Sequence, residues 1–146
     1  MADMRLIKST LISLMLMLCT IAVAQDDLHI GKVFKQYAFS NGCTMVEMNN
    51  IDIKGYHFDV FKSLSYSNQG KEIADILLAD RPKAKKVREI IYEGKVQNGC
   101  YMMSPSKSGK NRFIAFAFVS ENSGAVIYIE GDLTVDDILK ICYNQK

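Results

Sequence analysis

The stretch Phe113-Ile114-Ala115-Phe116-Ala117-Phe118-Val119 is apolar at every position. A strand open to water on one side alternates apolar with polar residues. An unbroken run reads instead as a strand covered on both faces. This segment is therefore expected near the middle of a sheet. Working outward, Lys86–Tyr92, Gly99–Ser104, Arg112–Ser120 and Ala125–Glu130 are all rich in Ile, Val, Phe and Tyr and read as strands. The links between them are Glu93-Gly94 through Asn98, Ser106–Lys110, and Asn122-Ser123-Gly124. Short, polar, glycine-containing links favour antiparallel connections over crossovers. The pattern predicts a four-strand meander.

A helix closes the chain. Thr134 stands at its N-cap, and Asp137, three residues on, approximates a capping box, in which Glu or Gln is the usual partner. Leu133 before the cap and Ile138 at the fourth position form a hydrophobic staple. Asp136 and Asp137 suit the positive end of the helix dipole. Val135, Ile138, Leu139 and Cys142 follow the spacing of one buried face.

The N-terminal half is less regular. A helix is expected from about Leu28 to Ser40, capped by Asp26 or Asp27, striped by Ile30, Val33, Phe34, Tyr37 and Ala38, and stopped by Asn41-Gly42. Gly31 inside it costs about 1 kcal/mol against Ala. Cys43–Met48 reads as a short strand with Cys43, Met45 and Glu47 on one face. Asn49-Asn50 and Lys54-Gly55 punctuate the segment after it, and Phe58–Ser65 fits either a strand or a helical turn. Gln69 to about Asp80 is helical, with Ile73, Ile76 and Leu77 in register and a limit set by Pro82.

Val87-Arg88-Glu89-Ile90-Ile91-Tyr92-Glu93-Gly94, Arg112-Phe113-Ile114-Ala115-Phe116, and the run from Ile127 through Gly131-Asp132-Leu133-Thr134 to Ile138 resemble uncharacterised families of small exported proteins from the Bacteroidetes. The likeness spans Leu28 to Cys142 and is strongest from Val87 onward. Its shared residues are a strand end, a glycine turn and a helix cap. They imply a single exported domain and carry no catalytic residue with them.

Residues 1–24 read as an export signal. Arg5 and Lys8 form a positive start, Leu11–Val23 is apolar except for Ser13 and Thr20, and Ala22-Val23-Ala24 has the small-x-small form that signal peptidase accepts. Met4 is an alternative start. The apolar core is shorter than the roughly 20 residues that span a bilayer, and acidic residues follow it, which speaks against an uncleaved anchor. Leu18 before Cys19 departs from the small residue that a lipid-attachment site requires. Cleavage removes Asp3, Arg5 and Lys8 and leaves residues 25–146, one domain with a net charge of about +1. Nucleic-acid binders are usually strongly basic, so that class is not expected.

The chain offers several chemical candidates, each beside a plainer alternative. Cys43, Cys100 and Cys142 remain after cleavage, an odd number. Cys43 and Cys100 each follow Asn-Gly, so each is expected to open a strand, and they form a candidate disulfide; the alternative is three small apolar core residues. His29 and His57 lie at no metal-ligand spacing from each other or from a cysteine, so no metal or other cofactor is expected. A nucleophile pair of Cys43 or Cys100 with a histidine has no surrounding signature, and no G-x-S-x-G elbow occurs. Ser104–Asn111 departs from a phosphate loop at its first glycine and its magnesium-binding hydroxyl, and reads as a solvated hairpin loop. Glu47, Asp52 and Asp59 are candidate paired carboxylates for sugar cleavage. Arg81, Lys83, Lys85, Lys86 and Arg88, with Lys107, Lys110 and Arg112, are a candidate patch for an anionic partner; the alternative is a sheet edge guarded by charge.

The expected architecture is α+β: an antiparallel sheet of four to six strands, with about three helices packed mainly on one face. The expected role is a periplasmic or secreted, non-enzymatic module that binds or assembles with an envelope protein or an anionic envelope component, without nucleic acid and without a membrane span in the mature form. An enzyme of unrecognised type, most plausibly a hydrolase, and a structural subunit that self-associates by sheet edges are the alternatives.

Overall fold

In the computed structural model of the chain, which describes residues 28–68 and 70–143, Phe113 points to one core while Ile114 and Phe116 point to another. The strand that carries them, Asn111–Ser120, is an inner strand, as its unbroken apolarity predicts. In chain order the strands are β1 (Cys43–Ile53), β2 (Tyr56–Ser67), β3 (Lys85–Tyr92), β4 (Lys95–Met103), β5 (Asn111–Ser120) and β6 (Ser123–Gly131). They form one sheet in the order β1-β2-β6-β5-β4-β3, with every neighbouring pair antiparallel. The last four strands are the expected meander. The β1–β2 hairpin joins it along β6.

Three helices complete the α+β fold: α1 (Ile30–Tyr37), α2 (Gly70–Asp80) and α3 (Val135–Tyr143). Two lie on one face. Ile30, Val33, Phe34 and Tyr37 of α1 and Ile73 and Leu77 of α2 pack on Leu64, Tyr66, Tyr101, Ile114, Phe116 and Val126. The third covers the other face, where Ile138 and Leu133 meet Phe58, Cys100, Phe113 and Ile129. Each such side chain taken fully out of water stabilises the fold by about 1.5–3 kcal/mol. The residues of the expected export signal, and Asp26 and Asp27, lie outside the described residues. No helix among the described residues is long and apolar enough to cross a membrane.

The N-terminal half departs from expectation in its details. Phe58–Ser65 is strand, part of β2. β1 does not end at Met48 but runs on to Ile53. Asn50 sits inside it at φ 49°, a left-handed conformation that Asn tolerates better than most residues. What reads as punctuation is thus a kink within a strand. Lys54-Gly55 and Glu93-Gly94 are hairpin turns, each with two positive φ angles, the two-residue geometry that matches strand twist. The second turn is tighter than the link expected, so β4 begins at Lys95 and Asn98-Gly99 lies within it.

α1 is also shorter than expected, and its cap comes from afar. The backbone N–H groups of His29 and Ile30 donate to Oδ1 and Oδ2 of Asp80, each at 2.8 Å. Asp80 ends α2 and is only 2% exposed. One carboxylate thereby satisfies orphan donors of α1 and fixes the two helices end to end. At its other end α2 presses on the β5–β6 turn: a Cβ at Gly70 would lie 1.5 Å from the Glu121 carbonyl oxygen.

Candidate functional site

The fold divides the eight basic residues singled out in the sequence into two groups. Four are engaged within the molecule. Arg81 Nε lies 2.9 Å from Glu89 Oε1. Glu89 also accepts a hydrogen bond from the Tyr101 hydroxyl at 2.5 Å, and that bond, aided by Arg81 and Lys86, holds its carboxyl below the usual carboxylate range. The Arg88 guanidinium sits over the Tyr143 ring, 4.3 Å from its centroid. Lys110 bonds Asp132 at 2.5 Å and approaches Asp59 at 3.9 Å. Arg112 is buried, with Nε donating to the Ser104 carbonyl at 2.6 Å. These four hold loops and strands together and do not form one patch.

Lys83, Lys85, Lys86 and Lys107 are exposed. Lys85 and Lys86 begin β3, and Lys83 belongs to the short 3-10 turn before it. Lys85 pairs across to Met102, beside the end of β4 from which the Ser104–Lys110 loop departs, so Lys107 belongs to the same end of the sheet. Among the described residues β3 pairs only with β4, and its far side is an open edge. The opposite end of β3 is apolar: Ile91 is 58% and Tyr92 63% exposed. Beside them lies an open groove of about 310 Å³, walled by Tyr92, Val96, Phe118 and Val119 and closed by Gly70 and Ala74 of α2. The edge is thus cationic at one end and apolar at the other. Its register shifts twice, between Lys86 and Arg88 and between Ile90 and Ile91. Bulges and lysines of this kind discourage pairing with an arbitrary flat strand.

Sequence reasoning identified the cations and missed the apolar end. Ile90-Ile91-Tyr92 reads as an ordinary strand terminus. Only the strand order reveals that β3 is an edge and that these side chains meet solvent.

The carboxylates also separate. Glu47 pairs with Lys62 at 3.8 Å, away from Asp52 and Asp59. These two flank His57 instead: Asp52 Oδ1 lies 2.8 Å from Nδ1, and Asp59 Oδ1 3.7 Å from Nε2. Lys110 and Asp132 continue the chain of charges, tying the β1–β2 hairpin to the start of β5 and the turn after β6. His57 and Asp52 are largely open to water, where such contacts contribute little. His29 is a neighbour of the Asp80 cap, with Nδ1 2.7 Å from Oδ1. Among the described residues no cluster of His, Cys, Asp and Glu suits a metal ion.

The candidate Cys43–Cys100 disulfide is not formed. Cys43 opens edge strand β1 and packs toward the α1 side, whereas Cys100 is buried on β4 against the α3 side. Four strand spacings separate them, roughly 19 Å at about 4.8 Å each, and a disulfide needs Cα atoms within about 7 Å. The two do not become neighbours because Asn98-Gly99 is not a turn and Cys100 lies in the middle of its strand.

Residues 17–142 match the model of a family of unknown function, DUF6108. The likeness to an uncharacterised domain drawn from the strand, turn and cap residues holds at that level. No curated protein and no solved structure matches the chain.

Proposed function

We propose, from the premise that the chain belongs to the family of unknown function DUF6108, that it is an exported, non-enzymatic binding module of the cell envelope. It captures an extended segment of an envelope protein along the open edge of β3. The observation that carries this reading is the two-ended character of that edge. Lys83, Lys85 and Lys86 would meet acidic side chains, while Ile91, Tyr92 and the adjoining groove would take apolar ones. Main-chain pairing along an exposed edge supplies affinity, and the side chains beside it supply selectivity. The two bulges restrict the edge to a partner whose register accommodates them. Export is supported by the Arg5/Lys8 start, the Leu11–Val23 apolar run and Ala22-Val23-Ala24.

A photo-reactive side chain placed at Ile91 in the exported protein tests this, with a second at Val46 on the opposite edge strand β1 as control. Adducts with one envelope protein are expected from position 91 and not from 46. They should weaken with rising salt and disappear in K83E/K85E/K86E. Exposed charge changes usually move stability by no more than about 0.5 kcal/mol each, so the variant should remain folded. Equal adducts from both edges, or adducts indifferent to the charge reversal, would refute the reading.

A further inference from the structure

Cys100 and Cys142 come from different elements and meet in one core. Cys100, on β4, is fully buried on the sheet face that α3 covers, and Cys142 packs into the same cluster from the last turn of that helix. The register locates them further. The cross-strand neighbours of Cys100 are Arg88 on one side and Ala115 on the other. Arg88 lies over the ring of Tyr143, the residue after Cys142. Ala115 shares with Cys142 the wall of an open groove of about 390 Å³. Both flanks of Cys100 therefore face the turn that carries Cys142.

We propose that Cys100 and Cys142 are a disulfide site, a covalent clasp between the end of α3 and the middle of β4. The oxidant is an external disulfide, small-molecule or protein-borne, of the kind found where exported proteins fold. The Cys142 thiolate attacks one sulfur of that disulfide and expels the other as a thiolate. The Cys100 thiolate then attacks Sγ of Cys142 in the mixed disulfide, releasing the second oxidant sulfur. Two cysteine thiols become one disulfide, the external disulfide becomes two thiols, and the two protons pass to the departing sulfurs. Burial pushes the Cys100 thiol up to about 12, with Cys142 beside it adding to the effect, and burial also raises Cys142. Since the thiolate is the attacking form, the reaction begins at Cys142, the less buried of the two, which lines the open groove.

The test needs only the full mature chain, oxidised glutathione and peptide mapping. After native oxidation and trypsin, a cross-link joining residues 96–107 to 141–146 is expected, and it should not include Cys43. Loss of two hydrogens and a higher denaturation midpoint should accompany it. Cys43→Ser should respond in the same way, whereas Cys142→Ala should gain nothing from the oxidant. The wild-type map stands even if that variant folds poorly. Alkylation of both Cys100 and Cys142 after oxidation, or a bond that includes Cys43, would overturn the clasp. The same map on protein isolated from the envelope separates this idea from the export reading. A bond that forms in glutathione but is missing there would overturn it as a native modification without bearing on the β3 edge.

Discussion

Asp80 does its work on a helix it does not belong to. Its two oxygens accept from the backbone of His29 and Ile30 at the start of α1, some fifty residues away in sequence. A carboxylate at a helix N-terminus gains from the dipole as well as from the hydrogen bonds. Asp80→Ala should therefore cost about 2–3 kcal/mol, because it leaves two donors without their acceptor at a buried junction. Asp80→Asn, which keeps the shape and one acceptor, should cost less. Urea denaturation of both variants checks the order, and an unchanged midpoint for the alanine variant would show that the cap is not needed. None of this was legible in the sequence. Asp80 reads there as the last residue before the Arg81-Pro82 break, and nothing local connects it to His29. A candidate cap at Asp26 or Asp27 was the only kind that local pattern could offer.

At the scale of the element, α3 was legible almost in full. Thr134 N–H donates to Asp137 Oδ2 at 2.9 Å, and Asp137 N–H donates to Thr134 Oγ1 at 3.1 Å, the reciprocal pair that the spacing predicts. Leu133 and Ile138 share one core as the staple requires. The error is one of rotation: Ile141 joins that core with Val135 and Cys142, and Leu139 does not. Ile138 is fully buried, so Ile138→Asp should cost about 2–4 kcal/mol from lost burial, with the cost of an unpaired buried charge added. Thermal or urea unfolding measures it; a midpoint equal to wild type would mean that α3 contributes nothing to the core. β1 shows the opposite case. Its kink at Asn50 looks like a strand end because Asn signals a turn wherever it stands, and only pairing with β2 through Ile53 reveals continuity.

For the whole molecule, the meander was legible because its links are too short for anything but antiparallel neighbours. The site was legible only in part. Eight cations cluster in the sequence, yet strand positions and partners such as Glu89 and Asp132 decide which of them are engaged within the molecule. Apolar exposure at Ile91 and Tyr92 follows from the edge position of β3, and no local pattern encodes that position. Compartment is a property of the whole chain too. If it is exported as proposed, intact-mass analysis of protein recovered from the envelope should show residues 1–24 absent and Gln25 at the N-terminus. Recovery of the full-length chain in membranes would exclude that.

The seam between β2 and β6 joins residues 56 to 70 positions apart, from Ser67 with Ser123 to Val60 with Glu130. The hairpin on one side and the meander on the other are local and quick to form; closing the seam requires the entropy of a long loop to be given up first. During synthesis, β6 is the last strand to leave the ribosome. The core under α1 and α2 needs Val126 from that strand, so it stays open until β6 has been made. If the chain is exported as proposed, that ordering delays closure until passage across the membrane is under way.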